Sequence, residues 1–273
     1  MFFNRKKDNP IILDCYTHSH FAYTHAKINY ARHYVPDWWK KTKQMSDEPT
    51  PEGVPAKTTI KVCAAIKEHY IKGIVIPLWG EFELDIYAHA TSSAMESANT
   101  YEWRSSNPDF CTDSSHSRAQ FAGFAGETGT NIKITSPWAI KCRELIHFTY
   151  SQPVWSQPDI IDDLTLLPGV VNFKNQFTTE LNYFFRSRDV KRTLTIEPLT
   201  PMVIMHPMSE RPIKLRHHYI EDENKWRTRI LQRGMGMVLD TGVRTSKNLQ
   251  KYYKKRNKFL EKRDKIEEDE DER

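Results

Sequence analysis

No apolar run in these 273 residues approaches the roughly 18 that cross a bilayer, so the sequence predicts no contact with a membrane. The opening MFFNRKKDNP has none of the apolar core of a secretory leader, and a cytoplasmic setting is expected. Cysteine is scarce: Cys15, Cys63, Cys111 and Cys142 stand far apart and form no CxxC pair. That spacing excludes a disulfide framework and a zinc finger and leaves reduced cysteines that pack in a core. Glycine is scarce too, with 10 in the chain. Gly123, Gly126 and Gly129 recur in threes, but no Lys-Ser or Lys-Thr follows them, so a phosphate loop is not expected.

What is present is 38% hydrophobic and 27% charged residues with a net charge of +5. A chain of this size builds one large β domain with helical additions, or two small domains. The stretch from Ile132 to His206 decides for β. IKITSPWAIKC, LIHFTYSQPVW, VVNF after Pro168-Gly169, TTELNYFF and LTIEPLTPMVIMHP are rich in aromatic and β-branched residues, and Pro or Gly bounds most of them. The expected fold is mainly β, an antiparallel barrel or sandwich of jelly-roll or β-clip type with a few flanking helices. Residues 1–240 would form that domain, with a helical insertion near 58–72, and 241–273 a charged helical tail.

Near the start, Ile11, Leu13, Cys15 and Thr17 alternate with Ile12, Asp14, Tyr16 and His18, the pattern of a strand with one buried face. Histidine is dense here. In an extended chain His18 and His20 point the same way about 7 Å apart, the spacing by which HxH pairs hold a metal in oxygenase barrels. A third ligand would have to come from His147, His206 or the His217-His218 pair. The leading expectation is no cofactor, with iron or zinc at His18, His20 and His206 as the alternative. Pro36-Asp37 predicts a turn that presents Trp38 and Trp39, either to stack a ligand or to anchor a crossing segment. Met45 to Lys57 reads as an exposed loop, and Thr58 to Lys72 as a helix in which Val62, Ile66 and Tyr70 share a face, closed by Gly73 in a left-handed cap. Ile74 to Ala88 returns to strand, with Glu81, Glu83 and Asp85 on a face that meets solvent or, alternatively, forms a metal-facing or cation-facing wall. Thr91 to Asn131 is polar and loop-like, with one or two short strands.

At the other end, Arg211, Lys214 and Arg216 with His217 make a small basic patch that is a candidate anion site. Glu221 to Arg233 predicts a helix held to the domain by Trp226 and Ile230. Residues 251–265 are strongly basic and 267–272 wholly acidic. The basic run is a candidate nucleic-acid contact. Leu249, Tyr253 and Leu260 at helical spacing point instead to packing on the body, on a protein partner or on a second copy.

Leu167-Pro168-Gly169-Val170-Val171-Asn172, the strand Thr178 to Phe185 and the segment Ile196 to Met205 resemble, in order and spacing, the barrel of trimeric dUTP pyrophosphatases. That resemblance implies a shared barrel with nucleotide-sized clefts. It places the family's water-activating aspartate at Asn172, an amide that takes no proton, so pyrophosphatase activity is not implied. DCYTHSH, PDWWK, TIKVCAAI, KGIVIPLW, SPWAIKC, LPGVVNFK and HPMSERPIKLRHH together resemble a group of uncharacterised proteins of tailed phages, notably myoviruses of cyanobacteria. This wider resemblance implies a phage origin, in the host cytoplasm or the virion, and no mechanism. Three function classes follow: a binding or assembly protein without a catalytic constellation, an iron oxygenase built on His18 and His20, and a nucleotide binder with Asn172 in its cleft.

Overall fold

A computed structural model describes residues 9–86, 101–107, 111–113, 129–156, 160, 163–174, 178–186 and 192–226. These residues form three sheets, none of them closed on itself. The first has the order β14 (Ile213–Tyr219), β1 (Ile11–Thr17), β7 (Gly129–Lys141), β11 (Thr178–Arg186) and β9 (Thr165–Leu166), with β6 (Cys111–Asp113) also on β7. The second runs β10 (Gly169–Asn172), β8 (His147–Ser151), β13 (Pro201–Pro207), β3 (Ile74–Pro77) and β2 (Asn29–Tyr30). A small third sheet holds β12 (Arg192–Ile196), β4 (Phe82–Ile86) and β5 (Tyr101–Ser105). The mainly β expectation holds, as packed open sheets. One pairing departs from antiparallel order, because β1 and β14 run parallel.

Period-2 patterning explains the layers. Ile11, Leu13, Cys15 and Thr17 of β1 are fully buried while Ile12, Asp14, Tyr16 and His18 are half-buried. Their inward set joins Ile132, Ile134, Trp138 and Ile140 of β7 and Leu181, Tyr183 and Phe185 of β11. Phe148 and Tyr150 of β8, Met202, Val203 and Met205 of β13, and Phe82, Leu84 and Ile86 of β4 complete one apolar core between the sheets. At about 25 cal/mol per Å² of apolar surface, each large side chain buried here contributes roughly 1.5–3 kcal/mol. Two hydroxyls stitch the sheets: Tyr183 donates to the Met202 carbonyl at 2.5 Å and Tyr30 to the Ile213 carbonyl at 3.1 Å.

Pro137 lies inside β7, where it has no N–H for the ladder. The pairing of β11 with β7 shifts register there, between Thr178 and Glu180. The bulge is satisfied by side chains. Thr179 Oγ1 donates to the Trp138 carbonyl at 3.0 Å, and Ser136 Oγ accepts from the Trp138 N–H at 3.2 Å.

The predicted helix over 58–72 begins later than expected. A 3-10 turn covers Ile60–Val62, and α3 runs from Ala64 to Lys72 with Ile66 and Tyr70 buried. They pack with Ala31, Val75 and Ile204 on the face of the second sheet opposite the main core. Val62 is exposed and outside that face. Gly73 closes α3 at φ −76, so it is not a left-handed cap. It is needed for close approach: a Cβ there would lie 2.7 Å from Ile204 Cγ2 and 2.8 Å from the His69 carbonyl oxygen.

The acidic face expected on the strand after α3 meets solvent at Glu81 but not at Asp85. Asp85 is 5% exposed; it accepts from Thr193 Oγ1 at 2.5 Å and from Arg104 at 3.1 Å. Glu83 pairs with the same arginine. Met45 to Lys57 is an exposed loop, as expected, pinched shut by a bridge between Met45 and Thr58. Among the described residues of the polar stretch before β7, β5 and β6 are short strands. Gly123, Gly126, Ile230 and the residues 227–273, including 251–265, lie outside the described residues.

Candidate functional site

The early histidine segment and the late basic segment are neighbours. The parallel register sets Asp14 beside Arg216, Cys15 beside His217, Tyr16 beside His218 and Thr17 beside Tyr219. Six residues singled out above therefore lie along one edge of the first sheet, Lys214, Arg216, His217 and His218 on β14 and His18 and His20 at its corner. A separation of about two hundred positions hides this corner from local pattern reading.

The geometry at the corner is not that of an extended HxH pair. β1 ends at Thr17, Ser19 caps a short helix α1 (His20–Thr24), and its hydroxyl accepts from the Ala22 N–H at 3.3 Å. His20 thus opens a helix and lies edge-on to Tyr219 at 5.8 Å. His18 continues the strand alternation and donates from Nδ1 to the Ile220 carbonyl at 2.9 Å. His218 stacks on Tyr16 at 4.6 Å and donates from Nε2 to Asp14 at 3.0 Å. His217 turns to the inner side, where Nε2 donates to the Ile28 carbonyl at 2.8 Å and the ring meets Trp138. Burial lowers the His217 pKa, so that ring is neutral at pH 7.

The imidazoles of His18, His217 and His218 each have one nitrogen fixed by an oxygen acceptor, which sets the tautomer. They do not converge. His206 lies in the other sheet, on β13, where Nε2 donates to the His69 carbonyl at 3.0 Å. Among the described residues no three His, Cys, Asp or Glu side chains come close enough together to hold a metal ion. The donor set His18, His20 and His206 does not fit iron or zinc.

Cys15 and Cys142 are buried, and burial pushes both thiols up, away from the thiolate a nucleophile requires. Arg211 is committed to the scaffold. It donates from Nε to the Asn9 carbonyl at 2.7 Å and from Nη1 and Nη2 to Glu144 at 2.5 and 3.0 Å, which holds the Glu144 carboxyl below its usual range. Lys214 and Arg216 are exposed. Asn172 ends β10, and its Oδ1 accepts from the Lys174 N–H at 2.9 Å, so its side chain closes a turn.

The tandem tryptophans divide their roles. Pro36 leads into α2 (Asp37–Lys41), a short helix in place of the expected turn. Trp39 packs with Tyr34, Val35 and Cys63 against the α3 cluster, and Lys61 Nζ sits 4.0 Å over its ring. It is an anchor. Trp38 is 41% exposed, donates from Nε1 to the Trp155 carbonyl at 3.0 Å and holds its ring 6.1 Å from that of Trp155. Val154 beside it is exposed as well. Nothing local in the sequence announced Trp155 as the partner of Trp38. The 3-10 turn Val154–Ser156 that presents it follows directly from β8 and Pro153.

Comparison with known proteins finds no matching family model, no matching curated protein and no matching solved structure.

Proposed function

We propose that this chain is a binding protein of a tailed phage, a component of the particle or of its assembly, that works by engaging protein partners. The observation that carries the reading is the Trp38–Trp155 pair. Two tryptophans, one of them 41% exposed, are fixed by a 3.0 Å hydrogen bond next to an exposed valine. Rigid, solvent-facing tryptophans contribute heavily where protein surfaces meet, because they bury large area at low entropic cost. The phage setting rests on the resemblance of the segments DCYTHSH, PDWWK and HPMSERPIKLRHH to tailed-phage proteins. The thiols held protonated and the histidines held by main-chain oxygens are in keeping with a scaffold.

Mass spectrometry of particles purified from an infected culture tests the reading. Peptides of this chain at fixed stoichiometry, depleted when the phage carries Trp38→Ala, support it. A chain absent from particles that also sediments as a free monomer in infected lysate overturns it. The Trp38→Ala protein is expected to fold, since the ring it loses is largely outside the core.

A further inference from the structure

Among the described residues, β14 is an edge strand that presents an unfilled row of main-chain groups, with charge on one side of it and aromatic rings on the other. Its pairing with β1 is bounded by Ile11 N–H to the Pro212 carbonyl at 2.8 Å and Ile220 N–H to the Thr17 carbonyl at 2.9 Å. In a parallel ladder those bonds turn the N–H and C=O of Lys214, Arg216 and His218 toward β1. The same groups of Ile213, Leu215, His217 and Tyr219 then face away. The Tyr30 hydroxyl takes the Ile213 carbonyl at 3.1 Å. Leu215, His217 and Tyr219 have no main-chain partner on that side among the described residues. At ~3.3 Å per residue this leaves about 13 Å of open ladder.

Lys214 and Arg216 stand on the outer face of this edge, both exposed and neither in an ion pair with a described residue. On the inner side Tyr219 meets His20 at 5.8 Å and Tyr23 at 5.4 Å, and Lys27 Nζ lies 4.6 Å over the Tyr23 ring. These rings form a shelf beside the open ladder.

We propose that the β14 edge accepts an extended segment of a protein partner, in which acidic residues alternate with apolar ones, as an added strand of the first sheet. Acidic side chains at every second position meet Lys214 and Arg216 as cross-strand pairs of opposite charge. The intervening residues point the other way, onto the shelf of Tyr219 and Tyr23. A second copy of β14 in the same place would set cations against cations, which opposes pairing. A nucleic acid would match the charge but brings no alternating N–H and C=O row to fill the ladder. The proposal rests on the chain acting through protein partners, yet it fails separately, because it is read on purified protein and the particle experiment is not.

Fluorescence anisotropy with a labelled peptide of alternating aspartate and valine provides the test. Wild-type protein binds this peptide, and a version N-methylated at every second residue, which cannot donate to the ladder, binds at least about tenfold more weakly. The double variant Lys214→Glu, Arg216→Glu keeps the wild-type unfolding temperature and transfers its preference to a lysine–valine peptide. Methylation is compared on wild-type protein, so it decides whether or not the variant folds. The proposal is overturned if the aspartate–valine peptide does not bind, which would leave the two cations as guards against edge aggregation. It is equally overturned if methylation changes nothing, if the reversed variant keeps its preference for aspartate, or if oligothymidylate displaces the peptide.

Discussion

His206 donates from Nε2 to the main-chain oxygen of His69 across 3.0 Å, and the two rings lie 4.7 Å apart where β13 meets α3. The bond ties the last turn of the helix to a central strand of the second sheet. It also makes a histidine pair out of residues 137 positions apart, and gives His206 a structural role in place of the metal ligation weighed from the sequence. Burial, and after it the neighbouring His206, pushes the His69 imidazole from 6.5 down to about 4. Burial lowers His206 as well, against the opposing effect of its bond to His69.

That pair predicts an acid-labile packing of α3. Between pH 6.5 and about 4 the unfolded chain binds a proton at position 69 that the folded chain refuses, so stability falls as pH drops through this window and levels off below it. His206 and His217, both lowered by burial, act in the same direction. Thermal unfolding followed from pH 7 to 4 should show a falling midpoint. The slope should be shallower in His69→Gln, where no proton is refused at that site. An unchanged slope in His69→Gln would show that the carboxylates, and not this pair, set the acid response.

Gly73 predicts a packing penalty. A Cβ at this position would meet Ile204 Cγ2 at 2.7 Å and the His69 main-chain oxygen at 2.8 Å. The methyl of Ile204 can rotate away, but the helix carbonyl cannot. Gly73→Ala is therefore expected to destabilise by about 1–3 kcal/mol in urea unfolding, as overpacking does. Measured in an Ile204→Ala background, which lacks Cγ2, the Gly73→Ala loss should shrink only in part. Full recovery would place all of the strain on the side chain.

The sequence exposes a good part of this fold, and the reason differs by element. β1, β7, β8 and β11 were legible because much of each buries alternate residues, and Ile11, Leu13, Cys15 and Thr17 vanish from solvent together, while β13 was legible as an apolar run buried on both faces. The start of α3 was not, because Cys63 caps it after a 3-10 turn and leaves Val62 outside the buried face. The histidine pair His18 and His20 followed strand spacing only as far as Thr17, where Ser19 caps a helix and turns the chain. What no local pattern could carry was pairing at long range. Asp14 with His218 is joined by strand pairing, and Trp38 with Trp155 and His69 with His206 by the packing of α2 and α3 against the sheet. Asp85 was misread for a related reason: its alternation with Leu84 and Ile86 is correct for a strand, but Arg104 and Thr193 cover the face it points to.

Asp85 supplies the sharpest stability prediction. Its carboxylate is nearly sealed from solvent and accepts from Thr193 Oγ1 at 2.5 Å on β12 and from Arg104 at 3.1 Å on β5, so one side chain joins both neighbours of β4. Arg104 is more than half exposed, which screens the ion pair, but its removal leaves the nearly sealed Asp85 carboxylate with one donor fewer. The hydrogen bond from Thr193 and the burial of the carboxylate are the terms that matter. Asp85→Ala and Arg104→Gln are each expected to cost about 1–3 kcal/mol, since both break a hydrogen bond made by the buried carboxylate. In a double-mutant cycle Asp85→Ala and Thr193→Val should be coupled by roughly 1 kcal/mol, with the double variant losing less than the sum of the singles. Strictly additive losses would mean that the short contact between Asp85 and Thr193 stabilises nothing, and that the third sheet is held by the packing of Phe82, Leu84 and Leu194 alone.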